Sequence, residues 1–473
     1  MAKFKQRKEL RLADLANEVL KDWRKDNTFE KSVANKQGAK AFVFYEGPPS
    51  SNGLPGIHHV MARTIKDVFC RYKTLKGFLV NRKAGWDTHG LPVELGVEKE
   101  LGITKEDIGK SITVEEYNEA CKKAVMRYTD VWNELTHKMG YWVDTQDPYI
   151  TYENKYIESV WWLLKQAFDK KLIYKGYTIQ PYSPVAGTGL SSHELNQPGC
   201  YKNVKDTSVT AQFLIKKDSN SFFSGDENVF LLAWTTTPWT LPSNTALAVN
   251  KSVVYVAVET SNLYTNEKVV VVVAKELLGS VFSSPYVEVS DLSDDKKQVP
   301  YKVVQEFKGS ELIGLRYNQL LPLARPAENA ENAFQVIHGD FVSTEDGTGI
   351  VHIAPTFGAD DAKVAIDSNV PPMLVKDKDG ELVPLVNLKG AFIEGLGELS
   401  GKFVKNSFYC NEDSNRKSVD VEIAIKLKEE NKAFRVEKYE HSYPHCWRTD
   451  KPVLYYPLDS WFIKVSALSL IHI

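Results

Sequence analysis

Cysteine is scarce in this sequence, and its few positions are scattered. The 473 residues contain five, namely Cys70, Cys121, Cys200, Cys410 and Cys446. None of these positions forms the Cys-x-x-Cys spacing of zinc knuckles. Scattered thiols argue against a disulfide framework and favour a reducing compartment. We therefore predict no structural metal site.

Long apolar runs are also missing. No stretch approaches the roughly 20 apolar residues needed to cross a bilayer, so we expect no membrane partner. The N-terminal stretch MAKFKQRKELRLADLANEVL has no apolar segment and mixes acids with bases. This composition predicts neither a secretory signal nor a transit peptide, and we expect a cytoplasmic protein.

A strong charge of either sign is absent too. The formal net charge is −2, which gives no global basic field, so a nucleic-acid partner would need a local patch. The length of 473 residues is enough for roughly two to four domains.

The first informative stretch runs from Phe42 to Tyr72 and has the pattern strand, turn, helix. Ala41–Tyr45 is a short apolar run, and the next dozen residues are rich in glycine and proline. Apolar residues then recur at helical spacing and predict one apolar helix face, formed by Met61, Ile65, Val68, Phe69 and Tyr72. A helix N-terminus after such a turn suits phosphate, and His58 and His59 stand there as possible donors. Two alternatives stay open: a plain turn, or histidines that bind a metal.

A second polar turn follows shortly, in Lys83-Ala-Gly-Trp-Asp-Thr-His-Gly-Leu-Pro-Val-Glu94. The apolar pair Leu79–Val80 before it predicts the second strand of a parallel sheet. Ligands of open α/β sheets bind beyond the carboxyl ends of the strands. Both turns follow strands, so we expect them to border the same crevice.

Helical periodicity predicts three further helices in the first 175 residues, over residues 8–35, 111–139 and 153–172. Their aromatic residues favour packing faces over base stacking. Residues 176–200 lose this periodicity and cluster Gly, Pro and Ser, which predicts a linker.

Residues 200–410 are dominated by β-branched runs between polar turns and predict a largely β region. Two polar motifs stand out in it: Trp234-Thr-Thr-Thr-Pro-Trp-Thr240 with Asn244, and Gly347-Thr-Gly-Ile-Val-His-Ile-Ala-Pro355 with Asp360 and Asp361. Threonines in strands and a histidine on a strand are usually structural. Alternatively, the hydroxyls would line a polar pocket that binds a ribose or an ester.

The last stretch predicts a helix over 419–432 and two strands after it. Residues 439–448 would return the chain to the first domain, and Leu454–Trp461 would resume the parallel sheet. His441, His445 and Cys446 are close in sequence, and a metal cluster there stays open as an alternative.

The motifs GPPSSNGLPGIHH and GWDTHGLPVE together resemble class I aminoacyl-tRNA synthetases, and among these the isoleucyl enzymes. The family's His-x-Gly-His signature falls on Gly56, Ile57, His58 and His59, so only its second histidine is kept. The resemblance implies an α/β fold, with a Rossmann-like parallel sheet interrupted by a largely β editing domain. It implies domains at 1–180 (first half of the catalytic domain), 181–435 (inserted editing domain with its linkers) and 436–473 (return to the catalytic domain).

The resemblance also implies an activation site that uses ATP with Mg²⁺. By position it assigns catalysis to His58, His59 and Asp87. Binding of ATP falls to Asn52, Gly53, Gly56 and His59. Binding of the amino acid falls to Gly47, Pro48 and Asp87, with the Asp87 carboxylate anchoring the substrate ammonium.

The motifs of the β region resemble the editing domain of isoleucyl, valyl and leucyl synthetases. By position this implies that Thr235, Thr236, Thr237 and Asn244 line a pocket for the tRNA 3′ end. His352 would discriminate side chains, and Asp361 would hold the ammonium of the misattached amino acid, with Asp360 as the alternative. Many relatives carry Gly-His-Gly where this chain has Thr356-Phe357-Gly358, and Pro181-Tyr-Ser-Pro184 where they carry Cys-x-x-Cys.

The function implied is isoleucine–tRNA ligation with hydrolytic editing of valyl-tRNA, with tRNA(Ile), isoleucine and ATP as partners. The family's KMSKS loop and anticodon-binding helices are not in the sequence, so we expect a fragment that does not complete ligation. Three alternatives stay open: a valyl-type synthetase, a hydrolase that only edits mischarged tRNA, and a non-catalytic tRNA-binding module.

Overall fold

The computed structural model describes residues 9–217, 228–290, 298–409 and 416–469. Internal contacts divide the chain into two compact units. The first unit comprises residues up to Tyr174 together with those from Ile463, and the second comprises Lys175–Phe462. The assignment of residues 1–180 and 436–473 to a catalytic domain and of residues 181–435 to an editing domain stays a prediction.

The first unit is built on a parallel sheet, as predicted. Its strands are β1 (Phe44–Tyr45), β2 (Arg82–Trp86) and β3 (Asp144–Ile150), in the order β1-β2-β3. Its helices up to Tyr174 are α1 (Leu12–Lys25), α2 (Thr28–Ala34), α3 (Ile57–Leu75), α4 (Leu91–Leu101), α5 (Val114–Val125), α6 (Thr129–Lys138) and α7 (Asn154–Asp169). Parallel strands need helical crossovers, and α3 supplies one between β1 and β2.

Three predicted boundaries in this unit were wrong. The second strand begins at Arg82 and not at Leu79, although Leu79 forms an isolated parallel bridge with Ala41. The predicted helix 8–35 breaks at Asn27, whose backbone is left-handed. The predicted helix 111–139 breaks after Val125, because the first glycine-rich turn contacts the chain there through Ser51: its Oγ donates to Val125 O (2.6 Å), and its O accepts from Tyr128 N–H (3.1 Å).

The apolar face predicted for α3 exists, but none of the described residues covers it. Met61, Ile65, Val68, Phe69 and Tyr72 are all more than half exposed. The buried positions of α3 are Arg63 and Cys70. The helix therefore meets its unit through the opposite side.

The second unit is dominated by strands, as predicted for residues 200–410. A seven-stranded sheet has the order β11-β12-β9-β10-β7-β6-β17, a three-stranded sheet has the order β13-β8-β14, and β15 pairs with β16. These strands are β6 (Tyr201–Leu214), β7 (Val229–Thr235), β8 (Ala246–Val249), β9 (Val254–Ser261), β10 (Lys268–Ala274), β11 (Tyr286–Glu288), β12 (Val299–Lys308), β13 (Gln335–His338), β14 (Val351–Ile353), β15 (Leu374–Lys376), β16 (Leu382–Pro384) and β17 (Ala433–Pro444).

The remaining elements complete the two units. They are β4 (Ile173–Ser183), β5 (Thr188–Gly189), β18 (Leu454–Ile463), α8 (Ser192–Leu195), α9 (Leu278–Val281), α10 (Gly309–Leu312), α11 (Ala359–Asp367), α12 (Val419–Glu429) and α13 (Val465–Ser469). The core of the second unit lies on the seven-stranded sheet, where Val270–Ala274 and Tyr255–Val258 are almost fully buried. None of the described helices is long and apolar enough to cross a bilayer.

Two predictions after residue 175 need correction. The predicted linker 176–200 contains β4, which pairs with β5, because Ile179 and Tyr182 are buried despite the local glycine and proline. Residues 439–444 of the stretch predicted to return to the first domain belong to β17, which pairs antiparallel with β6, and the return itself stays a prediction. Leu454–Trp461 forms part of β18, which joins a sheet with β4 and β5 instead of the β1-β2-β3 sheet.

Candidate functional site

A cleft of about 420 Å³ opens in the second unit, and five of the predicted residues line it together. They are Thr235, Thr236, Thr237, His352 and Asp361. The end of β7 supplies the threonines, β14 supplies the histidine, and the first turn of α11 supplies the aspartate. Residues more than 100 positions apart in sequence thus face one polar space.

The threonines form a turn that leads from β7 into a 3-10 helix, Pro238–Ser243. Thr235 Oγ1 accepts a hydrogen bond from Thr237 N–H at 3.1 Å. Thr240, whose hydroxyl belongs to the same motif but to which the resemblance assigned no role, donates from Oγ1 to Thr237 O at 2.8 Å and also lines the cleft. These bonds fix the turn that presents the hydroxyls. Thr240 stands in the same Thr-rich motif, and that motif was the signal for including it.

The ring of His352 is held by hydrogen bonds on both nitrogens. Asn244 donates from Nδ2 to Nδ1 at 2.9 Å, and Nε2 lies 3.0 Å from Thr240 Oγ1. Nδ1 must accept, because the amide nitrogen only donates. The proton therefore resides on Nε2 and is donated to Thr240. Burial lowers the pKa of His352 to about 4, so the ring is neutral at pH 7 and has no free lone pair for a general base.

Asn244 lies behind the cleft and not on its wall. Its side chain is buried, Nδ2 also donates to Ala246 O at 2.8 Å, and Oδ1 accepts from the Tyr317 hydroxyl at 2.7 Å. This set of partners fixes the orientation of the amide. Tyr317 was missed in the sequence because no motif surrounds it.

Asp361 is the third residue of α11, where a carboxylate suits the positive end of the helix. Its Oδ2 accepts from Ala354 N–H at 2.8 Å. Burial, with a contribution from the Asp360 charge, raises the pKa of Asp361 to about 6. Asp361 forms no ion pair with any residue that the structure describes, whereas Asp360 is exposed and lies outside the cleft lining. The geometry therefore favours Asp361 over Asp360.

The position of the family's extra histidine is taken by Phe357, which also lines the cleft. Its ring packs edge-on against Trp239 with centroids 5.0 Å apart. At Gly358, an added Cβ would stand 2.6 Å from Asp361 Cγ. The absence of a side chain at Gly358 thus leaves room for the carboxylate to fold back toward Ala354.

In the first unit, the loops after the parallel strands meet at the carboxyl edge of the sheet. Asp87 N–H donates to Pro49 O at 3.0 Å, which joins the two predicted motifs. Thr88 and Thr151, which follow β2 and β3, share a hydrogen bond of 2.7 Å between their hydroxyls. The Asp87 side chain is exposed at this edge. This is the edge at which α/β sheets bind ligands.

The two histidines stand in the first turn of α3. Gly56 N–H donates to His59 Nδ1 at 2.9 Å, so the proton of the neutral ring is on Nε2 and faces away from this bond. Burial, followed by the charges of His58 and Arg63, lowers the pKa of His59. His58 is exposed, and its ring centroid lies 3.8 Å from that of His59. The structure shows no hydrogen bond between His59 and Asp87. His59 accepts from Gly56 N–H, and Asp87 N–H donates to Pro49 O.

The glycine-rich loop between Pro49 and Gly56 is held by a side chain of α6. Gly53 O accepts from Trp132 Nε1–H at 2.9 Å, and Asn52 is half-buried. Gly47 is exposed and Pro48 half-buried just after β1. An added Cβ at Gly47 would lie 3.7 Å from Lys66 Nζ.

Glu46 is a buried carboxylate that the sequence analysis missed. Lys66 Nζ donates to its Oε1 at 2.6 Å, and the Tyr141 hydroxyl donates to its Oε2. The Tyr149 hydroxyl donates to the Glu46 carbonyl oxygen. These contacts fix the start of the Gly47–Pro48 turn against α3 and β3.

The histidines near the C-terminus point to separate partners. His441 Nε2 lies 3.3 Å from Asp206 Oδ2, and His445 Nδ1 lies 3.0 Å from Tyr443 O. Cys446 is buried. Over the described residues, no group of three or more His, Cys, Asp or Glu side chains is arranged to hold a metal ion.

Comparison with known proteins shows the family to which the chain belongs. The chain is 59% identical over 475 residues to the isoleucine–tRNA ligase of Cytophaga hutchinsonii, across 97% of this chain and 42% of that protein. It is 56% identical over 483 residues to that of Bacteroides fragilis and 44% identical over 455 residues to that of Clostridium tetani. The chain spans about two fifths of the length of these curated relatives. The family model "tRNA synthetases class I (I, L, M and V)" matches residues 18–472, and the chain therefore belongs to the class I tRNA synthetases.

Proposed function

We propose that this chain carries two sites of an isoleucine–tRNA ligase: an activation site in the first unit and a hydrolytic editing cleft in the second. The observation that carries the proposal is the convergence of Thr235–Thr237, His352 and Asp361 on one cleft. The names of the relatives, all isoleucine–tRNA ligases, support the choice of amino acid.

The need for two sites follows from the size of the substrates. A pocket for isoleucine rejects valine by only about 1–3 kcal/mol, because the two side chains differ by one methylene. Isoleucyl-tRNA synthetases are the standard example of this limit. A second site that hydrolyses the smaller product removes the error. The 420 Å³ cleft would be that site.

In the cleft, the Asp361 carboxylate would bind the ammonium group of valine esterified to tRNA. The hydroxyls of Thr236 and Thr237 would bind the ribose and the ester oxygens. Water would attack the ester carbonyl carbon, and the bond to the ribose oxygen would break. The products would be free valine and a tRNA with its terminal hydroxyl restored. His352 already uses both nitrogens, so its role would be to shape the wall that meets the amino-acid side chain.

In the first unit, ATP and isoleucine would bind at the carboxyl edge of the sheet. The residues fit these substrates: His58 is exposed at the N-terminus of α3, and neutral His59 has an Nε2–H left to donate. Both would donate to phosphoryl oxygens beside Asn52, Gly53 and Gly56, where charge develops as the isoleucine carboxylate attacks the α-phosphorus and pyrophosphate leaves. Mg²⁺ would enter on the phosphates of ATP.

The isoleucine pocket would be bordered by Gly47 and Pro48, with the Asp87 carboxylate as the anchor for the ammonium. Asp87 suits this role because its side chain is exposed while its backbone is fixed to Pro49. The adenylate formed there would pass its isoleucyl group to the ribose of tRNA(Ile).

The editing half is tested by incubating the chain with valyl-tRNA(Ile) and isoleucyl-tRNA(Ile). We expect hydrolysis of the valyl ester only, and loss of that hydrolysis in Asp361→Asn. Asp360→Asn is the matched control, because the exposed neighbour lies outside the cleft lining. Equal hydrolysis by wild type and Asp361→Asn would overturn this half of the proposal.

The activation half is tested by ligand-dependent stabilisation. A ligand that binds only the folded state raises the melting temperature. We expect saturating isoleucine to raise it in wild type and in the surface control Asp22→Asn, but not in Asp87→Asn. Absence of any isoleucine effect in wild type contradicts an isoleucine site.

A further inference from the structure

A cluster of buried charges lies behind the threonine turn of the second unit. Lys405 Nζ lies 3.1 Å from Asp206 Oδ2 and 3.5 Å from Asp420 Oδ2. The ammonium also lies 4.9 Å from the centroid of the Tyr443 ring. Asp420 and Lys405 are each less than 10% exposed. None of these residues lines the cleft.

The cluster reaches the cleft through one hydrogen bond. Asp420 Oδ1 accepts from Trp239 N–H at 2.9 Å. Trp239 is the second residue of the 3-10 helix Pro238–Ser243, where a backbone N–H has no partner within the helix. Asp420 is the second residue of α12, so a rigid helix carries the acceptor.

The next residue along the chain is Thr240, which connects to the cleft on two sides. It donates to Thr237 O and accepts from His352 Nε2–H. A displacement of the 3-10 helix would therefore move the threonine turn and the imidazole together. Asp420 thus supports both walls of the cleft through Trp239 and Thr240.

A purely stabilising role is the simpler explanation for a buried ion pair. Such pairs contribute little net stability, because desolvation of the two charges offsets their attraction. The distinguishing feature here is that each Asp420 oxygen has a different partner: Oδ2 faces Lys405, and Oδ1 faces the turn. Lys405 therefore fixes the carboxylate in the orientation in which Oδ1 meets Trp239.

We propose that Asp420, oriented by Lys405, is a positioning residue that holds the 3-10 helix Pro238–Ser243 so that Thr237, Thr240 and His352 keep their arrangement in the cleft. This inference rests on the proposed editing function for its kinetic test. It predicts that the placement of the two carboxylate oxygens matters, and that a negative charge displaced along the side chain does not replace it.

The kinetic test compares four variants in the hydrolysis of valyl-tRNA(Ile). Asp420→Asn keeps one acceptor oxygen and replaces the other with a donating amide nitrogen. Asp420→Ala removes both oxygens, and Asp420→Glu keeps the charge but displaces the oxygens by one methylene. Glu422→Gln is the matched control, since Glu422 lies on the same helix and its carboxylate pairs with the partly exposed Lys402.

Small displacements of reacting groups cost up to about 100-fold in rate. We expect Asp420→Ala and Asp420→Glu to lower kcat at least about 10-fold with KM changed less than about 3-fold. Asp420→Asn should also lower kcat, because its single amide oxygen cannot accept from both Lys405 and Trp239 N–H, and Glu422→Gln should match wild type. The proposal is overturned if Asp420→Glu or Asp420→Asn matches wild type. Should Asp420→Ala not fold, the Glu and Asn variants alone decide.

A second readout is independent of hydrolysis. Nitrogen-15 NMR of histidine-labelled protein reports the Nε2–H tautomer of His352, with the signal assigned by its absence in His352→Gln. We expect this signal in wild type and Glu422→Gln, and its shift or broadening in Asp420→Glu. An unchanged signal in Asp420→Glu overturns the positional link. If wild type does not hydrolyse valyl-tRNA but the signal behaves as expected, the editing function fails while the positioning role stands.

Discussion

Asn244 and His352 are joined by a hydrogen bond of 2.9 Å from Nδ2 to Nδ1, buried behind the cleft. The same amide accepts a hydrogen bond from the Tyr317 hydroxyl at 2.7 Å, so two buried polar groups depend on one side chain. A buried donor or acceptor left without a partner costs about 1–3 kcal/mol. This bond therefore fixes both the orientation and the tautomer of the histidine.

Asn244→Ala should consequently destabilise the second unit by about 2–4 kcal/mol, since it strands His352 Nδ1 and the Tyr317 hydroxyl. Urea unfolding followed by circular dichroism measures the change. Asn203→Ala, at an exposed position of β6, is the control and should stay within about 0.5 kcal/mol of wild type. Equal stability of the two variants would show that water replaces the amide.

Acid should weaken the fold through His352. Burial lowers the pKa of His352 to about 4 from an ordinary value of 6.5. Between these values the unfolded chain binds a proton that the folded chain does not. The contribution of neutral His352 to the free energy of unfolding is therefore fully present above pH 6.5. It falls by about 3 kcal/mol as the pH drops to 4.

The measurement is the free energy of unfolding of wild type and His352→Gln at pH 7 and pH 4.5. The stability difference between the two proteins should shift in favour of the glutamine variant at the lower pH. A difference that does not change with pH would mean that the folded protein protonates the imidazole freely.

Hydrolysis of valyl-tRNA should fall in acid because of Asp361. Burial raises the pKa of this carboxyl to about 6, and only the ionised form attracts an ammonium group. Since kcat/KM reports the pKa of free-enzyme groups, its profile should drop below pH 6. Asp360→Asn removes a neighbouring charge that raises the pKa of Asp361, so it should move the inflection of the kcat/KM profile to lower pH. An inflection at the same pH in this variant would contradict the assignment.

Gly358→Ala should impair the cleft without unfolding it. The new Cβ would lie 2.6 Å from Asp361 Cγ, so the carboxylate must rotate and lose its bond to Ala354 N–H. The backbone at Gly358 is extended, with φ −138° and ψ 129°, and tolerates alanine. We expect a stability loss no larger than the about 0.5–1.5 kcal/mol of one hydrogen bond, but a loss of valyl-tRNA hydrolysis of about 10- to 100-fold. Gly279→Ala, where a Cβ meets open space, should leave hydrolysis unchanged.

Local patterns predicted the elements whose structure is decided locally. The turn formers between Gly47 and Gly56 placed the N-terminus of α3, and the β-branched runs placed β7, β8 and β10. The Thr-rich and His-containing motifs predicted residues that the fold brings to one cleft. These features depend on spacing within a dozen residues, which a single sequence contains.

The remaining features depend on contacts between distant residues. The break after Val125 is set by Ser51, 74 positions earlier. Residues 173–183 form β4 despite Gly176 and Pro181, because partners elsewhere in the chain bury Ile179 and Tyr182. Asp420 reaches Trp239 across 181 positions. No local periodicity predicts such pairings.

Gly85 shows how tightly one distant contact limits sequence in the first unit. It lies in β2, and a Cβ there would stand 2.4 Å from the ring of Tyr149 on β3. That ring stacks on Tyr156 with centroids 5.8 Å apart, and its hydroxyl donates to Glu46 O at the start of the glycine-rich turn. Gly85→Ala should therefore destabilise the first unit by about 1–3 kcal/mol, the usual cost of overpacking.

The matched control is Gly96→Ala, at an exposed position of α4 where a Cβ meets nothing within 4 Å. It should stabilise the protein by about 0.5–1 kcal/mol, because alanine loses less backbone entropy in a helix. Limited proteolysis of the first unit, followed by mass spectrometry, compares both variants with wild type. Faster cleavage in Gly85→Ala and slower cleavage in Gly96→Ala are expected. Equal cleavage rates in the two variants would show that the Tyr149 ring moves aside freely, and the turn that carries Gly47 and Pro48 would then be held mainly by Lys66 and Tyr141 through Glu46.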